Sequence, residues 1–214
     1  ALRLKQHYFF VSASMQCIIG NDKKNYNDLR TLPDRVAIQI NDTHPALAIP
    51  EMMRILLDEE GMDWDTAWDI TTRTFAYTNH TVMGEALERG PQKLFRELLP
   101  RIHMIVNEIN ERYCRKLWDH FPGQWKKISD MAIIAYDEVR MAPLCIVGSH
   151  TVNGVAPLHT SILRNEVFRD YYQLEPYKFI NITNGITQRR WLLKANPGLA
   201  GLLHETIGDH WILE

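Results

Sequence analysis

The sequence predicts a helix-rich α/β fold in which polar loops follow short buried strands. Three short apolar runs, at residues 36–40, 75–78 and 179–182, are rich in β-branched or aromatic residues and are typical of strands. Longer segments between them repeat apolar residues at the spacing of one helical face. A polar cluster follows each apolar run directly. Since strands that alternate with helices favour a parallel sheet, we expect a sheet whose carboxyl edge carries polar loops.

The elements of the first half follow this pattern in order. Residues 2–19 have helical spacing, which we expect to end at Gly20. After the first strand, a helix is predicted from near Pro50. Asp63 is a typical N-cap residue for the next helix, which leads into the second strand.

The second half is predicted to be mainly helical. The longest helix covers residues 99–121 and ends before Pro122 and Gly123, which disfavour helix. Residues 131–134 fit either a helix or a strand. Further helices are predicted at residues 139–147, 157–168, 187–194 and 199–207.

Composition limits the class of protein. The 214 residues are 45% hydrophobic and 23% charged, as in ordinary globular proteins, and the net charge of −2 does not favour nucleic acid as a partner. Short, interrupted apolar runs predict no membrane span. The three cysteines lack C-x-x-C spacing, so they predict neither a disulfide framework nor a zinc site. This use of cysteine predicts a cytoplasmic location. Both termini read as cuts within a longer protein, although a compact protein with trimmed ends remains an alternative.

Three polar clusters are the candidate functional residues. In open α/β sheets, ligands bind at the carboxyl ends of the strands, and amides, carboxylates and imidazoles suit a ligand with many hydroxyls. Each cluster alone also fits a structural turn or cap, so only their shared placement favours a site. The clusters are Asn41-Asp42-Thr43-His44, Asn79-His80-Thr81 and Thr183-Asn184-Gly185.

Other sequence patterns give weaker signals. The spacing of the histidines matches no metal motif, and no glycine-rich phosphate loop or G-x-S-x-G elbow is present. Glu85 and Glu88 are three residues apart, which predicts one helical face, more often solvated than functional. Core packing, rather than sugar stacking, is predicted for Trp64, Trp68, Trp118 and Trp125.

Four longer motifs resemble those of the α-glucan phosphorylases, the family of glycogen, starch and maltodextrin phosphorylases. They occur in order and nearly without gaps, over residues 2 to about 207, and would form about the middle quarter of a family member. The motifs are VAIQINDTHP from residue 36, AYTNHTV from residue 76, GSHTVNGVA from residue 148, and ITNGI with RRWL from residue 182.

The resemblance implies a glycosyltransferase that uses phosphate to release the terminal α-1,4-linked glucose of glycogen, starch or maltodextrin as glucose 1-phosphate. It also implies the glycosyltransferase-B arrangement of two Rossmann-like domains, in a protein that is commonly an allosteric homodimer. Residues 1–181 would be the C-terminal part of the N-terminal domain. Residues 182–214 would begin the cofactor-binding C-terminal domain.

The resemblance also implies site residues. His80 matches the catalytic-site histidine that meets the sugar 6-hydroxyl and whose carbonyl faces the developing positive charge. Asn184 matches an asparagine that meets the same sugar from the other domain, and Trp191 matches a residue packed near the cofactor. The other implied substrate-side residues are Val152, Asp42, His44, Asn79, Glu85 and Glu88.

The implied cofactor is pyridoxal phosphate, held as a Schiff base on a lysine. Lys194, the only lysine after Lys178, does not lie in the family's lysine motif, so the isolated chain is expected to be inactive. Two alternatives remain open, a module that only binds glucan and an inert structural piece. Met104, Asn107 and Glu111 match the family's glycogen-storage surface only in part, which leaves the preferred glucan open.

Overall fold

The computed structural model describes residues 1–213, which form two compact units. The first unit is Ala1–Ile182, and the second begins at Thr183. No helix in the described chain is both long enough and apolar enough to cross a membrane.

The first unit contains seven short strands among its described residues. They are β1 (Ile38–Asn41), β2 (Phe75–Thr78), β3 (Arg89–Pro91), β4 (Ile134–Ala135), β5 (Glu138–Arg140), β6 (Val152–Gly154) and β7 (Phe179–Asn181).

The main sheet is parallel, with the strand order β1-β2-β6-β7. Strands β1 and β2 pair in register from Ile38 opposite Phe75 to Asn41 opposite Thr78, which confirms the sequence-based prediction of two neighbouring parallel strands. Strand β6 was not predicted. Its three residues are too few to show a periodicity, although it lies between β2 and β7 and joins them.

A second, antiparallel sheet of order β3-β5-β4 was also missed by the sequence reading. Residues 138–140 pair with 89–91, so the helix predicted over 139–147 begins only at Met141. The ambiguous segment 131–134 divides between the two states, since Met131 ends a helix and Ile134 begins β4.

Ten α-helices are described, and several continue into short 3₁₀ or π turns. They are α1 (Leu2–Lys23), α2 (Ala48–Arg54), α3 (Trp64–Thr74), α4 (Gln92–Leu98), α5 (Pro100–His120), α6 (Trp125–Met131), α7 (Met141–Val147), α8 (Pro157–Ile162), α9 (Arg169–Leu174) and α10 (Pro197–Ile207).

Helix α1 continues through Gly20, where the sequence predicted its end. Ile19 and Asp22 on either side are buried, and the Asp22 carboxylate accepts hydrogen bonds from the Arg35 guanidinium at 2.8 and 3.0 Å. Because this buried ion pair fixes the last turn to the following segment, the low helix propensity of one exposed glycine does not end the helix.

The predicted cap of α3 is confirmed, since the Asp63 carboxylate accepts a hydrogen bond from the Thr66 N–H at 3.0 Å. The prediction of core packing is wrong for Trp118 and Trp125. Both indoles are exposed and lie against each other with ring centroids 4.4 Å apart. Trp64 and Trp68 are half-buried against the core, as predicted.

The core of the first unit lies between the main sheet and the helices that connect its strands. One face of α5 is buried, including Ile102, Ile105, Val106, Ile109 and Tyr113. The fully buried side chains that join strands to helices include Ile40, Phe75, Tyr77, Met52, Met53, Ile70 and Leu144.

The second unit is a π turn, Arg189–Lys194, followed by α10 and a 3₁₀ turn, His210–Ile212. Helix α10 starts two residues before its predicted start. The Asn196 side chain caps it by accepting from the Leu199 N–H at 3.2 Å, and proline suits the first helical turn.

Candidate functional site

The candidate site lies at the carboxyl edge of the main sheet, where polar side chains of three strands join. Gln39 of β1 donates to the Thr78 hydroxyl at 2.8 Å. That hydroxyl donates to the Asn153 amide oxygen of β6 at 2.8 Å. These bonds link β1, β2 and β6 through their side chains, in addition to the backbone ladder, and they position the loops that leave this edge.

Asp42 turns the chain at the end of β1. Its φ of 62° is unusual for a residue other than glycine, although aspartate tolerates this region. Its N–H donates to the Thr78 carbonyl at 2.8 Å, and its carboxylate accepts from the Thr43 N–H at 2.7 Å. Asp42 therefore has a structural role in the turn.

Asn79, the first residue after β2, is fully buried, and its side-chain amide is bonded on every side. The amide nitrogen donates to the Tyr77 hydroxyl at 3.1 Å, and the amide oxygen accepts from the Thr81 N–H at 3.0 Å. His159 of α8 contacts the same oxygen through Nε2 at 3.1 Å. Because the Val155 N–H donates to Nδ1 of His159, Nε2 carries the proton and is the donor.

His80 follows Asn79 and is exposed. Its Nε2 lies 2.5 Å from the Asn41 amide oxygen at the end of β1. Since an amide oxygen only accepts, Nε2 of His80 is the donor in this contact. The loop that carries His80 is thus tied to β1 through Asn41 and to α8 through Asn79.

A cavity of about 190 Å³ beside these loops is lined in part by His44 and Glu88. The Glu88 carboxylate accepts from the Thr43 hydroxyl at 2.8 Å and from the Arg3 guanidinium at 2.5 Å. His7 of α1 lies across the cavity with its ring centroid 6.3 Å from that of His44. Partial burial lowers the pKa of His7, the Glu88 carboxylate opposes this shift, and the ring is therefore favoured in its neutral form.

The remaining predicted residues are Glu85, Val152, Asn184 and Trp191. Glu85 is exposed on the 3₁₀ turn Gly84–Ala86, whereas Glu88 lies beyond it, so the expected shared helical face is wrong. A turn of three residues is too short to place both on one face. The Val152 side chain is buried in the core. Asn184 and Trp191 belong to the second unit, where both are exposed, and their relation to His80 stays a prediction.

The structure brings residues to this edge to which the family resemblance assigns no role. Two of them, Asn41 and Thr43, already belong to a polar cluster that the sequence marks as a candidate. No local signal marks the others, since they come from distant segments, three from helices and one from the three-residue strand β6. They are Arg3, His7, Asn153 and His159.

This edge of the sheet therefore carries hydroxyl, amide, imidazole and carboxylate groups at the strand ends and in the loops that follow them. Such groups both donate and accept hydrogen bonds, which suits a ligand with many hydroxyls. In the part of the chain that the structure describes, no group of three or more His, Cys, Asp or Glu side chains is placed to hold a metal ion.

Comparison with known proteins gives one consistent result. The family model described as "Carbohydrate phosphorylase" matches residues 1–214. Glycogen phosphorylase of Bacillus subtilis (strain 168) is 57% identical over 211 residues, which is 99% of this chain and 26% of the relative. The muscle form of glycogen phosphorylase from Homo sapiens is 53% identical over 222 residues, again 26% of its length. The chain thus spans about a quarter of the length of the curated relatives that it matches.

Proposed function

Because the chain belongs to the carbohydrate phosphorylase family, we propose that it is part of an α-glucan phosphorylase. Such an enzyme transfers the terminal glucose of glycogen, starch or maltodextrin to inorganic phosphate and forms glucose 1-phosphate. The observation that carries the proposal is the placement of the family-like motifs. The residues around Asp42 and His80 both follow parallel strands and meet at one edge of the sheet, where a glucan could bind.

In this proposal the edge binds the glucose unit and the sugar chain beside it. His80 meets a sugar hydroxyl, and the carbonyl of its loop faces the positive charge that develops at the anomeric carbon. Asp42, His44, Glu85 and Glu88 line the region next to the glucose unit.

The structure adds a positioning role for the residues that hold this loop. The Asn41 amide fixes the ring of His80, and the buried Asn79 amide orders the backbone that carries it. We propose that Asn79 acts on the substrate through this loop rather than through its own side chain, because its amide is bonded to the protein. Val152 is proposed to support the floor of the glucose pocket from within the core.

The domain assignment is part of the same proposal. The first unit would correspond to the C-terminal part of the N-terminal domain, and the second unit would begin the C-terminal domain and supply Asn184. A homodimeric parent and a cytoplasmic location are also proposed. The cysteines of the chain, Cys17, Cys114 and Cys145, are free thiols, which is compatible with that location.

The lysine of the second unit does not fit a Schiff-base site for pyridoxal phosphate. Lys194, the only lysine of the second unit, is exposed at the end of a π turn rather than enclosed in a cradle of donors. We therefore propose that the cofactor of the complete enzyme is held by residues outside this chain, with Trp191 packed near it.

The test is an assay of glucose 1-phosphate formation by the purified complete protein. With glycogen and phosphate we expect phosphorolysis, whereas the isolated 214-residue chain is expected to form no glucose 1-phosphate and to show no pyridoxal absorbance. Absence of phosphorolysis by the complete protein with glycogen, starch and maltodextrins would refute the proposed activity. Activity of the isolated chain would refute the assignment of the cofactor to residues outside it.

A further inference from the structure

A second cavity, of about 380 Å³, lies at the opposite edge of the main sheet, where the strands begin. Ser149 and His150 reach it from the segment before β6, and Tyr177 and Lys178 from the segment before β7. The His150 N–H donates to the carbonyl of Phe75, the first residue of β2. This cavity is therefore separated from the candidate sugar site by the length of the strands. Its size is in the range of small-molecule sites.

The charged groups at this cavity leave it with an excess of positive charge. Lys178 and Lys116 share one carboxylate, that of Glu175, at N–O distances of 3.2 and 2.7 Å. Lys178 and Glu175 are buried, and Lys116 is half-exposed. Arg73 and Arg112 also line the cavity, but each already pairs with acidic residues on its outer side.

The pKa shifts of the buried pair agree with this excess. Burial lowers the pKa of the Lys178 ammonium below the usual lysine value, and the Glu175 carboxylate opposes the shift. Burial alone would raise the pKa of Glu175, but the two ammonium groups outweigh it and hold that pKa below its usual value. One carboxylate thus compensates two cations, and a further anion would relieve their mutual repulsion.

Two hydrogen-bond donors of residues that line this cavity have no partner among the described residues. Ser149 is fully buried, and its hydroxyl has no hydrogen-bond partner among the described residues. The indole N–H of the half-buried Trp64 also has no partner in the described chain. A buried polar group without a partner costs free energy that a bound acceptor would recover. Both groups can donate, which favours a ligand that offers acceptor atoms.

The rest of the wall is apolar and largely aromatic. Its members are Trp64, Trp68, Ile109, Tyr113, Val147 and Tyr177. The guanidinium of Arg112 lies 5.0 Å from the centre of the Trp64 ring and covers one of its faces. A flat apolar group could pack against these side chains, whereas a small inorganic anion would leave them without contacts.

We propose that this cavity is a binding site for a small organic anion with a planar apolar body. The anionic group binds Lys178, Lys116 and the Ser149 hydroxyl, and the planar body packs against Trp64 and Trp68. The proposed site is independent of the phosphorylase activity, because its residues line a cavity where the strands begin, at the end of the sheet opposite His80.

The test measures binding of 2-naphthoate to the purified complete protein by titration calorimetry. Two control ligands are measured beside it. 2-Naphthamide keeps the aromatic rings but carries no charge, and inorganic phosphate is charged but has no ring. We expect 2-naphthoate to bind at least tenfold more tightly than either, and its affinity to fall as salt is raised.

Three variants locate the site. Lys116→Met and Lys178→Met each remove one cation and are expected to weaken 2-naphthoate binding about tenfold. Ser149→Ala is expected to weaken it about threefold to tenfold without lowering the melting temperature, because the hydroxyl has no hydrogen-bond partner among the described residues to lose. The control Lys126→Met removes an exposed lysine elsewhere and is expected to leave the affinity unchanged.

The proposal is overturned if 2-naphthoate does not bind at millimolar concentration, or if 2-naphthamide binds equally well. It is also overturned if Lys116→Met and Ser149→Ala bind 2-naphthoate as tightly as the unchanged protein does. These two variants decide the outcome even where Lys178→Met fails to fold, since Lys116 is half-exposed and Ser149 makes no hydrogen bond.

Discussion

Asn79 and Asn41 show how single side chains fix the loop that follows β2. The Asn79 amide joins three segments, namely Tyr77 within β2, Thr81 within the loop and His159 on α8. Asn41 holds the ring of His80 from the neighbouring strand. The loop is therefore bonded on both sides before any ligand is present, and such pre-ordering reduces the entropy lost on binding.

Replacement of Asn79 tests this ordering directly. Asn79→Ala leaves the buried Tyr77 hydroxyl, the His159 N–H and the Thr81 N–H without their partner, and we expect local stability to fall by about 1–3 kcal/mol. Hydrogen exchange of the Thr81 amide in the complete protein should then be faster by about tenfold or more. Asn107→Ala is the control, because Asn107 is exposed on α5 and should leave this exchange rate unchanged. An unchanged Thr81 rate in Asn79→Ala would show that the amide does not order the loop.

For single residues, the sequence predicts which residue types lie at the carboxyl edge of the sheet but not the role of each one. Asn79, His80 and Asp42 were selected because polar residues follow strands. The sequence could not show that the Asn79 amide is bonded to the protein, because one partner, His159, is 80 positions away. Nor could it show that the Asp42 carboxylate closes a turn on Thr43, since Asn-Asp-Thr clusters serve sites and turns alike.

At the scale of elements, Gly154 permits the close approach of α8 to the end of β6. A Cβ atom there would lie 2.4 Å from the Thr160 hydroxyl and 3.0 Å from the Thr160 Cα, so the helix backbone itself would have to move. The Gly154 carbonyl also accepts from the Ile182 N–H at 3.1 Å. Any displacement of Gly154 would therefore affect the end of the first unit.

We expect Gly154→Ala to destabilise the protein by about 1–3 kcal/mol, the usual cost of overpacking a buried site. The matched control is Gly20→Ala, since nothing lies within 4 Å of its added methyl and alanine is favoured in a helix by about 0.5–1 kcal/mol. Denaturant midpoints of the two variants should thus shift in opposite directions. A stability of Gly154→Ala equal to that of the unchanged protein would refute the close packing of α8 on β6.

The elements that the sequence predicted well are those with many residues or a clear composition. The 21-residue helix α5 repeats apolar residues over five turns, and β2 is a run of β-formers with a polar loop after it. Strand β6 and the strands of the β3-β5-β4 sheet are only two or three residues long. Their formation therefore depends on partner strands elsewhere in the chain. Local periodicity carries no information about such pairings.

At the scale of the whole molecule, we propose that the carboxyl edge of the parallel sheet binds sugar in an α-glucan phosphorylase. The family assignment follows from the match over the full chain, and the fold class was correctly predicted as α/β. The placement of Asn184 opposite His80 remains a prediction, because the two residues belong to different units. The sugar contacts of the two residues must therefore be tested through activity.

The most direct measurement is the kcat and KM of phosphorolysis for His80→Ala and Asn184→Ala in the complete protein. The control His120→Ala removes an exposed histidine at the end of α5 and should leave both constants unchanged. Loss of one sugar hydrogen bond costs about 0.5–1.5 kcal/mol, or up to about tenfold. We expect His80→Ala to lower kcat by up to about this amount, because its loop acts mainly in the transition state, and Asn184→Ala to raise KM more. An unchanged kcat with only a raised KM in His80→Ala would contradict the transition-state role, and no change in either variant would contradict the sugar site itself.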